Sequence, residues 1–582
     1  MAIFIRRVLQ AGMKIENTSM KNPKLHSRFS SAVQRKVIEG TNGEKILRSP
    51  YGAIITYPEM SISEYVWATL DNYSNMDAAV CGVTGRKYTY GQVRDGANNV
   101  ARSLLNMGVQ AGEVVAVALP NLPESPIAFL GCIEAGIIVT TVNHMYTADE
   151  ILRQLVSSGA KAIITAAEIA STVMSAASKH KPDMKVIVVD DSTKPLPEGV
   201  IPFADLIAKG ESLPPVPERQ WSPDDVAVLP YSSGTTGLPK GVMLTHRNLV
   251  SNVEMIKQTG NELFTPAHGS YQENIPVVLP LYHIYGMSTI MLARMSIGSK
   301  LITLPKFTPE SCVKVLDEHK VTSLVLVPPM VMFLSITKLT QSKYLDNVSN
   351  IISGAAPLSE TDVEKFYNKY KVDRNKVKFC QGYGLTECSP VALFETTGTK
   401  YSSIGKPVKG CDVRLVDPVT RKDVDGPGCT GEIWIRGPHV MKGYLNNQKA
   451  TDETIINGWL LTGDIAYYDD NLDFYVTDRL KELIKVKGFQ VAPAELEALL
   501  RTHPDVEEAG VIGIPDERYG EVPRAFVVLK NAAKLQPEDL QNFVKGKVTE
   551  FKELRGGVKF IDSLPKNPSG KILRAQLKKN YC

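Results

Sequence analysis

Along most of the chain, stretches with an apolar residue every three or four positions alternate with short runs in which nearly every position is apolar. The first pattern predicts amphipathic helices from Tyr90 to Met107 and from Thr147 to Ser158. The second predicts buried strands from Glu113 to Leu119, Lys161 to Thr165, Lys185 to Val189, Leu301 to Leu304 and Ser323 to Val327. Strand followed by helix, repeated over about 400 residues, predicts an α/β protein whose large N-terminal domain has parallel-rich sheets covered by helices. The last hundred residues break the pattern. They read as a strand pair (Ile465 to Tyr468, Phe474 to Thr477), a helix (Ala494 to Thr502) and strands (Glu508 to Ile514, Ala525 to Leu529). A helix (Pro537 to Thr549), a strand (Val558 to Ile561) and a final helix follow. This is a small α+β C-terminal domain. The charged stretch Asp478-Arg479-Leu480-Lys481-Glu482 has no apolar period and separates a domain at residues 50–477 from one at 483–582.

The longest apolar stretches, Pro126 to Val142 and Leu324 to Ile336, are broken by Glu134 and by Pro328 and Pro329, so neither predicts a transmembrane segment. Peripheral contact with a membrane surface stays open. With 582 residues, 43% hydrophobic and 22% charged, the composition excludes disordered and collagen-like classes and predicts more than one domain. The eight cysteines form no CxxC pair and no metal-ligand cluster, which predicts reduced thiols and no structural zinc. Charge is uneven. Six basic residues against Glu16 give residues 1–29 a charge of +5, so the remainder, against a total of +4, is −1. Such a remainder gives no electrostatic ground for nucleic-acid binding. Ile5, Leu9 and Met13 recur beside Arg6, Arg7 and Lys14, and an acid-poor stretch ends in Arg28-Phe29-Ser30, which predicts a mitochondrial transit peptide over residues 1–29. Met13 and Met20 offer later starts and a cytoplasmic alternative.

The strongest local chemistry is Tyr231-Ser-Ser-Gly-Thr-Thr-Gly-Leu-Pro-Lys240, directly after the strand-like run from Val226 to Leu229. Gly234 and Gly237 let backbone N–H groups turn toward an anion; Ser232, Ser233, Thr235 and Thr236 can donate to phosphate oxygens, and Lys240 adds a compact positive charge. This is a phosphate cradle without the Walker A spacing, because Gly241 stands where a magnesium-binding Ser or Thr would follow the lysine.

With this loop the sequence resembles the adenylate-forming (AMP-binding) superfamily: acyl-CoA synthetases, 4-coumarate:CoA ligases and beetle luciferases. The resemblance runs from about Ser61 to Leu577 and carries further motifs in order. Ser353-Gly354-Ala355-Ala356-Pro357 is similar to the family's adenine-contacting turn, with Ser353 where many relatives have Gly. Gln381-Gly382-Tyr383-Gly384-Leu385-Thr386-Glu387 is similar to the segment that stacks on adenine through Tyr383, meets the α-phosphate through Thr386 and binds Mg²⁺ through Glu387. Asp464 and Arg479 match the ribose contacts. Lys487, Gly488 and Phe489 match the loop that enters during thioester formation, and Pro568-Ser-Gly-Lys571 the loop of the catalytic lysine. His283, among nine histidines, matches the one between acyl pocket and CoA tunnel, with Tyr285, Gly286 and Met287 beside it, and Asp478 matches the hinge of a mobile C-terminal domain.

The chemistry gives each role a reason. A carboxylate is a poor acyl donor until converted to a mixed anhydride with AMP, and charge that builds on the α-phosphate and on leaving pyrophosphate needs Lys571, Thr386 and a Glu387-bound Mg²⁺. The resemblance implies an ATP-dependent acid:CoA ligase using ATP, Mg²⁺ and CoA, expected to act on medium- or long-chain fatty acids. The alternatives are an aryl-acid (4-coumarate-like) ligase, a luciferase-type oxygenase and a silent acyl or nucleotide sensor. The last would be expected to lose Lys571, Glu387 or Asp464, and all three are present.

Overall fold

Three of the predicted strands, Val114–Ala118, Ala162–Ala166 and Lys185–Val189, lie side by side and parallel in a computed structural model of the chain. The structure describes residues 37–40, 43–52, 56–190, 195–232, 239–356, 358–479, 482–486, 489–516, 518–530, 534–545, 547–548, 550–566, 570 and 572–581. The expected transit segment at 1–29 therefore lies outside the described residues.

Around these strands the sheet extends to Ile138–Thr141 and Val226–Val228, still parallel, and then turns antiparallel into Lys240–Thr245 and Tyr231–Ser232. Helices cover it for reasons written in the sequence. Ala148–Ser158 opens on a capping box in which Glu150 N donates to Thr147 Oγ1 and Thr147 N to Glu150 Oε2, and it closes on Gly159 at φ +68°. The apolar stretch from Pro126 to Val142 becomes a buried helix, Ser125–Glu134, and a strand, Ile138–Thr141, with Gly136 turning the chain between them at φ +72°. Leu324 to Ile336 likewise divides into the strand Ser323–Leu326 and the helix Pro328–Ile336, whose two prolines sit in the first turn, where no intrahelical donor is missed. Among the described residues no helix is long and apolar enough to cross a membrane.

A second parallel set, Ser323–Leu326, Asn350–Ser353 and Lys378–Gly384, faces the site. The strand pair read among the last hundred residues lies on the large-domain side of the expected boundary and packs there: Trp459–Tyr468 and Phe474–Arg479 complete a seven-stranded antiparallel sheet with Gly431–Arg436, Asp412–Val416 and Lys45–Arg48. Gly431–Arg436 and Asp412–Val416 lie shortly upstream, but Lys45–Arg48 lies hundreds of residues away, where local periodicity carries no sign of the pairing, and the sheet takes in strands ahead of residue 50. The small domain is a five-stranded sheet from Ile484 onward with its own core of Val486, Leu496, Leu500, Val511, Val527 and Leu540. Its helix Pro537–Val544 is shorter than predicted: Lys545 is already extended, ahead of Gly546, a residue that disfavours helix.

Three histidines, His246 and His439 in the core and His283 half-buried at a cavity wall, set an acid limit on this fold. Burial holds His283 and His246 down to about 4 and His439 to about 3. In the unfolded chain each is protonated below about 6.5. Unfolding therefore takes up protons between about pH 6.5 and 4, and stability rises with pH across that window. The denaturation midpoint is expected to fall steadily as the pH is lowered from about 6.5 to 5, before carboxylates contribute; a flat midpoint over that range would overturn the assignment of three neutral histidines.

Candidate active site

A cavity of about 730 Å³ opens where the two parallel sheets and the antiparallel sheet meet. Most of the residues singled out from sequence and lying within the description line it: Ser232, Lys240, His283, Gly354, Ala355, Gly382, Tyr383, Gly384, Thr386, Glu387 and Asp464. Ser233, Gly234, Thr235, Thr236, Gly237, Pro357, Lys487, Gly488 and Lys571 lie outside the described residues, and for Asp478, Arg479 and Phe489 the description covers the backbone.

The phosphate cradle is a β-hairpin. Tyr231 and Ser232 pair with Gly241 and Lys240, and Tyr231 OH anchors the base by donating to Ser157 Oγ at 2.9 Å. Ser232 Oγ donates to Glu387 Oε1 at 3.0 Å and Tyr444 OH to the same oxygen at 2.8 Å. Both Glu387 and Tyr444 are buried. Sequence reasoning missed Tyr444, which no local pattern distinguishes from a core tyrosine.

On the opposite wall, Tyr383 OH donates to Asp464 Oδ2 at 2.7 Å, and burial with the neighbouring Asp464 charge raises the Tyr383 phenol well above its ordinary value. The ring and the carboxylate expected at adenine and ribose are thus locked together. Asp464 sits opposite Arg479 in the ladder, and the preceding Gly463 is held by its N–H to Glu432 Oε1 at 3.0 Å, a second residue that sequence reasoning missed. Gln381 departs from the expectation. Its amide is buried and satisfied by Leu358 N, Leu358 O and Tyr401 O, so it fastens the strand end from behind and does not line the cavity. Ala356 is also absent from the lining.

His283 Nδ1 accepts the Tyr285 N–H at 3.2 Å, which leaves Nε2 to carry the proton of a neutral ring. Beyond it the chain forms a π-helix, Tyr285–Leu292, whose Tyr285 and Thr289 both reach the cavity. A Cβ on Gly354 would stand 3.2 Å from the Tyr285 ring, so the turn is glycine where the aromatic wall comes closest.

From the small domain, Lys566 and Leu573 join the lining. Gly570 approaches Pro329 so closely that a Cβ there would lie 2.9 Å from Pro329 Cδ. The neighbours of Lys571 are thus already at the cavity mouth. Arg574 fixes the helix that follows by pairing with Glu497 at 2.7 Å and with Glu482 of the expected hinge stretch.

A hydroxyl-bound carboxylate beside an anion-binding hairpin, closed by a second domain, defines a nucleotide-dependent two-domain enzyme. The sequence model of the AMP-binding enzyme family matches residues 66–445, and that of the AMP-binding enzyme C-terminal domain matches residues 495–571. The chain belongs to the AMP-binding enzyme family. It is 38% identical over 550 residues to 4-coumarate--CoA ligase 1 of Solanum tuberosum, covering 92% of this chain and 97% of that protein. Its fold matches ATP-bound MatB from Rhodopseudomonas palustris with a TM-score of 0.80 at 26% identity, over 90% of this chain and 99% of that one. It also matches o-succinylbenzoate CoA synthetase (MenE) from Bacillus subtilis in complex with its acyl-adenylate intermediate, with a TM-score of 0.74 at 26% identity, over 90% and 99%.

Proposed function

We propose that this protein is an ATP-dependent, AMP-forming acid:CoA ligase that acts on an aryl acid carrying a polar substituent. The ligase reaction through an acyl-adenylate follows from family membership and from the nucleotide-side geometry. The aryl preference rests on the cavity lining, where Thr289 is almost fully buried and its Oγ1 has no hydrogen-bond partner among the described residues. That oxygen is turned away from the open cavity, so a ring hydroxyl or carbonyl would partner it once the side chain rotates toward the ligand, whereas an alkyl chain offers it no partner in any rotamer. Phe264, Tyr285 and Phe394 supply aromatic walls around it. The expectation of a medium- or long-chain fatty acid therefore gives way to its alternative, in keeping with the 4-coumarate ligases among the relatives.

In the first half-reaction the acid's carboxylate oxygen attacks the α-phosphorus of ATP and pyrophosphate leaves. Tyr383 and Asp464 hold the nucleoside, and Ser232 and Lys240 face the phosphates. A magnesium ion fits the carboxylate of Glu387, since such ions bind through one or two carboxylates plus substrate phosphates, and it would neutralise phosphate charge. In the second half-reaction the CoA sulfur attacks the acyl carbon and AMP departs. His283, being neutral, places an Nε2 donor beside that carbon without adding charge.

Pyrophosphate release with 4-coumarate, cinnamate, octanoate and palmitate, with and without CoA, tests the reading. The expected kcat/KM is at least about tenfold higher for 4-coumarate than for cinnamate, the worth of one hydrogen bond, and lower again for the fatty acids. Thr289→Val should erase the difference between the two aryl acids. A preference for octanoate or palmitate overturns the aryl assignment and leaves the ligase standing.

A further inference from the structure

Glu387 is gripped by one oxygen. Its Oε1 accepts from both Ser232 and Tyr444, while no described residue donates to Oε2. The two donors and Lys240 come from one strip of sheet: Ser232 pairs with Lys240 across the hairpin, and Tyr444 pairs with Val242 on the other edge of the same strand. The strip also places the Lys240 ammonium 4.8 Å from the centroid of the Tyr444 ring, within cation–π range. A tyrosine with its ring under the phosphate-loop lysine and its hydroxyl on the carboxylate thus joins two groups 147 positions apart in the chain, 240 and 387.

A buried carboxylate with one oxygen saturated by two hydroxyls has little freedom to rotate, because turning it would break two short hydrogen bonds. Its second oxygen is then fixed in direction before any ligand arrives. Groups that orient a metal-binding side chain in this way usually change metal affinity about 10- to 100-fold when removed. The backbone adds a tether, since Glu387 O accepts the Met441 N–H at 2.8 Å, three residues from Tyr444.

We propose that Tyr444 is the positioning residue of the divalent-cation site, pinning Glu387 Oε1 so that Oε2 faces the ion that accompanies ATP, while its ring seats Lys240 at the phosphate loop. The proposal rests on the ATP-dependent reading above. In Tyr444→Phe the ring stays under Lys240 and Ser232 still donates to Oε1, so only the orienting hydroxyl is lost.

Calorimetric titration of the whole protein tests it, with ATP plus Mg²⁺ and, separately, with AMP without metal. Tyr444→Phe is expected to weaken Mg²⁺·ATP binding about 10- to 100-fold, leave metal-free AMP binding and the melting temperature at parental values, and raise the Mg²⁺ concentration needed for half-maximal pyrophosphate release. In a Glu387→Gln background the same substitution should add no further loss. Equal weakening of AMP and Mg²⁺·ATP binding would assign Tyr444 a packing role and overturn the proposal, as would unchanged Mg²⁺·ATP binding or full additivity with Glu387→Gln. Failure of the parent to bind either nucleotide would instead overturn the ligase reading.

Discussion

Alanine in place of Lys571 is expected to slow acyl-adenylate formation by about 10²–10³-fold, the usual loss when one preorganised donor to a charged transition state is removed. CoA transfer from supplied acyl-adenylate should continue near the parental rate. The asymmetry follows from the requirements of the two steps. The first builds negative charge at the α-phosphate and on pyrophosphate; the second moves a thiol onto a carbonyl and releases AMP. On either side of Lys571 the chain is already at the cavity: Lys566 and Leu573 line it, and Gly570 lies against Pro329 at the start of the helix Pro328–Ile336. The pairing of Arg574 with Glu482 ties the helix after this loop to the segment expected to be a hinge, and rotation at such a hinge would be the means of exchanging one catalytic surface for the other between the two steps. Assaying the two half-reactions separately decides the matter. Equal loss in both would mean that Lys571 serves a single fixed site and that the domain does not alternate.

Much of this site was legible because its motifs are contiguous. The segment from Ser232 to Lys240, the run from Gly382 to Glu387 and the turn at Gly354 each place residue types with an evident use within a few positions, and Ser232, Lys240, Gly354 and the run from Gly382 to Glu387 line the cavity. What could not be read is pairing over distance. Tyr444 and Glu387 are 57 positions apart, and Tyr383 and Asp464 are 81 apart; their hydrogen bonds depend on which strands become neighbours. The same limit left Trp459–Tyr468 and Phe474–Arg479 without legible partners beyond each other, since an antiparallel strand looks alike whatever it pairs with. Gln381 shows the converse error. It belongs to a functional run, yet its side chain is spent on Leu358 and Tyr401, and a motif does not say which of its members face the ligand.

Glu273→Ala is expected to destabilise the large domain by about 3–5 kcal/mol, the usual result of stranding a fully buried charge. Arg294 is 0% exposed and its Nη1 lies 2.7 Å from Glu273 Oε2, which also accepts Ser299 Oγ at 3.1 Å. Removing the carboxylate leaves the guanidinium with Leu263 O and little else of opposite charge. The consequence reaches the substrate, because the guanidinium carbon lies 4.0 Å from the centroid of Phe264, whose ring forms part of the cavity wall. On the aryl-acid reading proposed above, Thr289 needs that wall fixed, so the single variant should lose discrimination between 4-coumarate and cinnamate as well as stability. Replacing both partners, as Glu273→Leu with Arg294→Met, removes the charge and its need for a partner together, and such swaps are often neutral or stabilising by about 1–4 kcal/mol. Urea unfolding of the single and double variants separates the two cases. Equal destabilisation in both would show that the site depends on shape, and a single variant as stable as the parent would show that the pair contributes nothing.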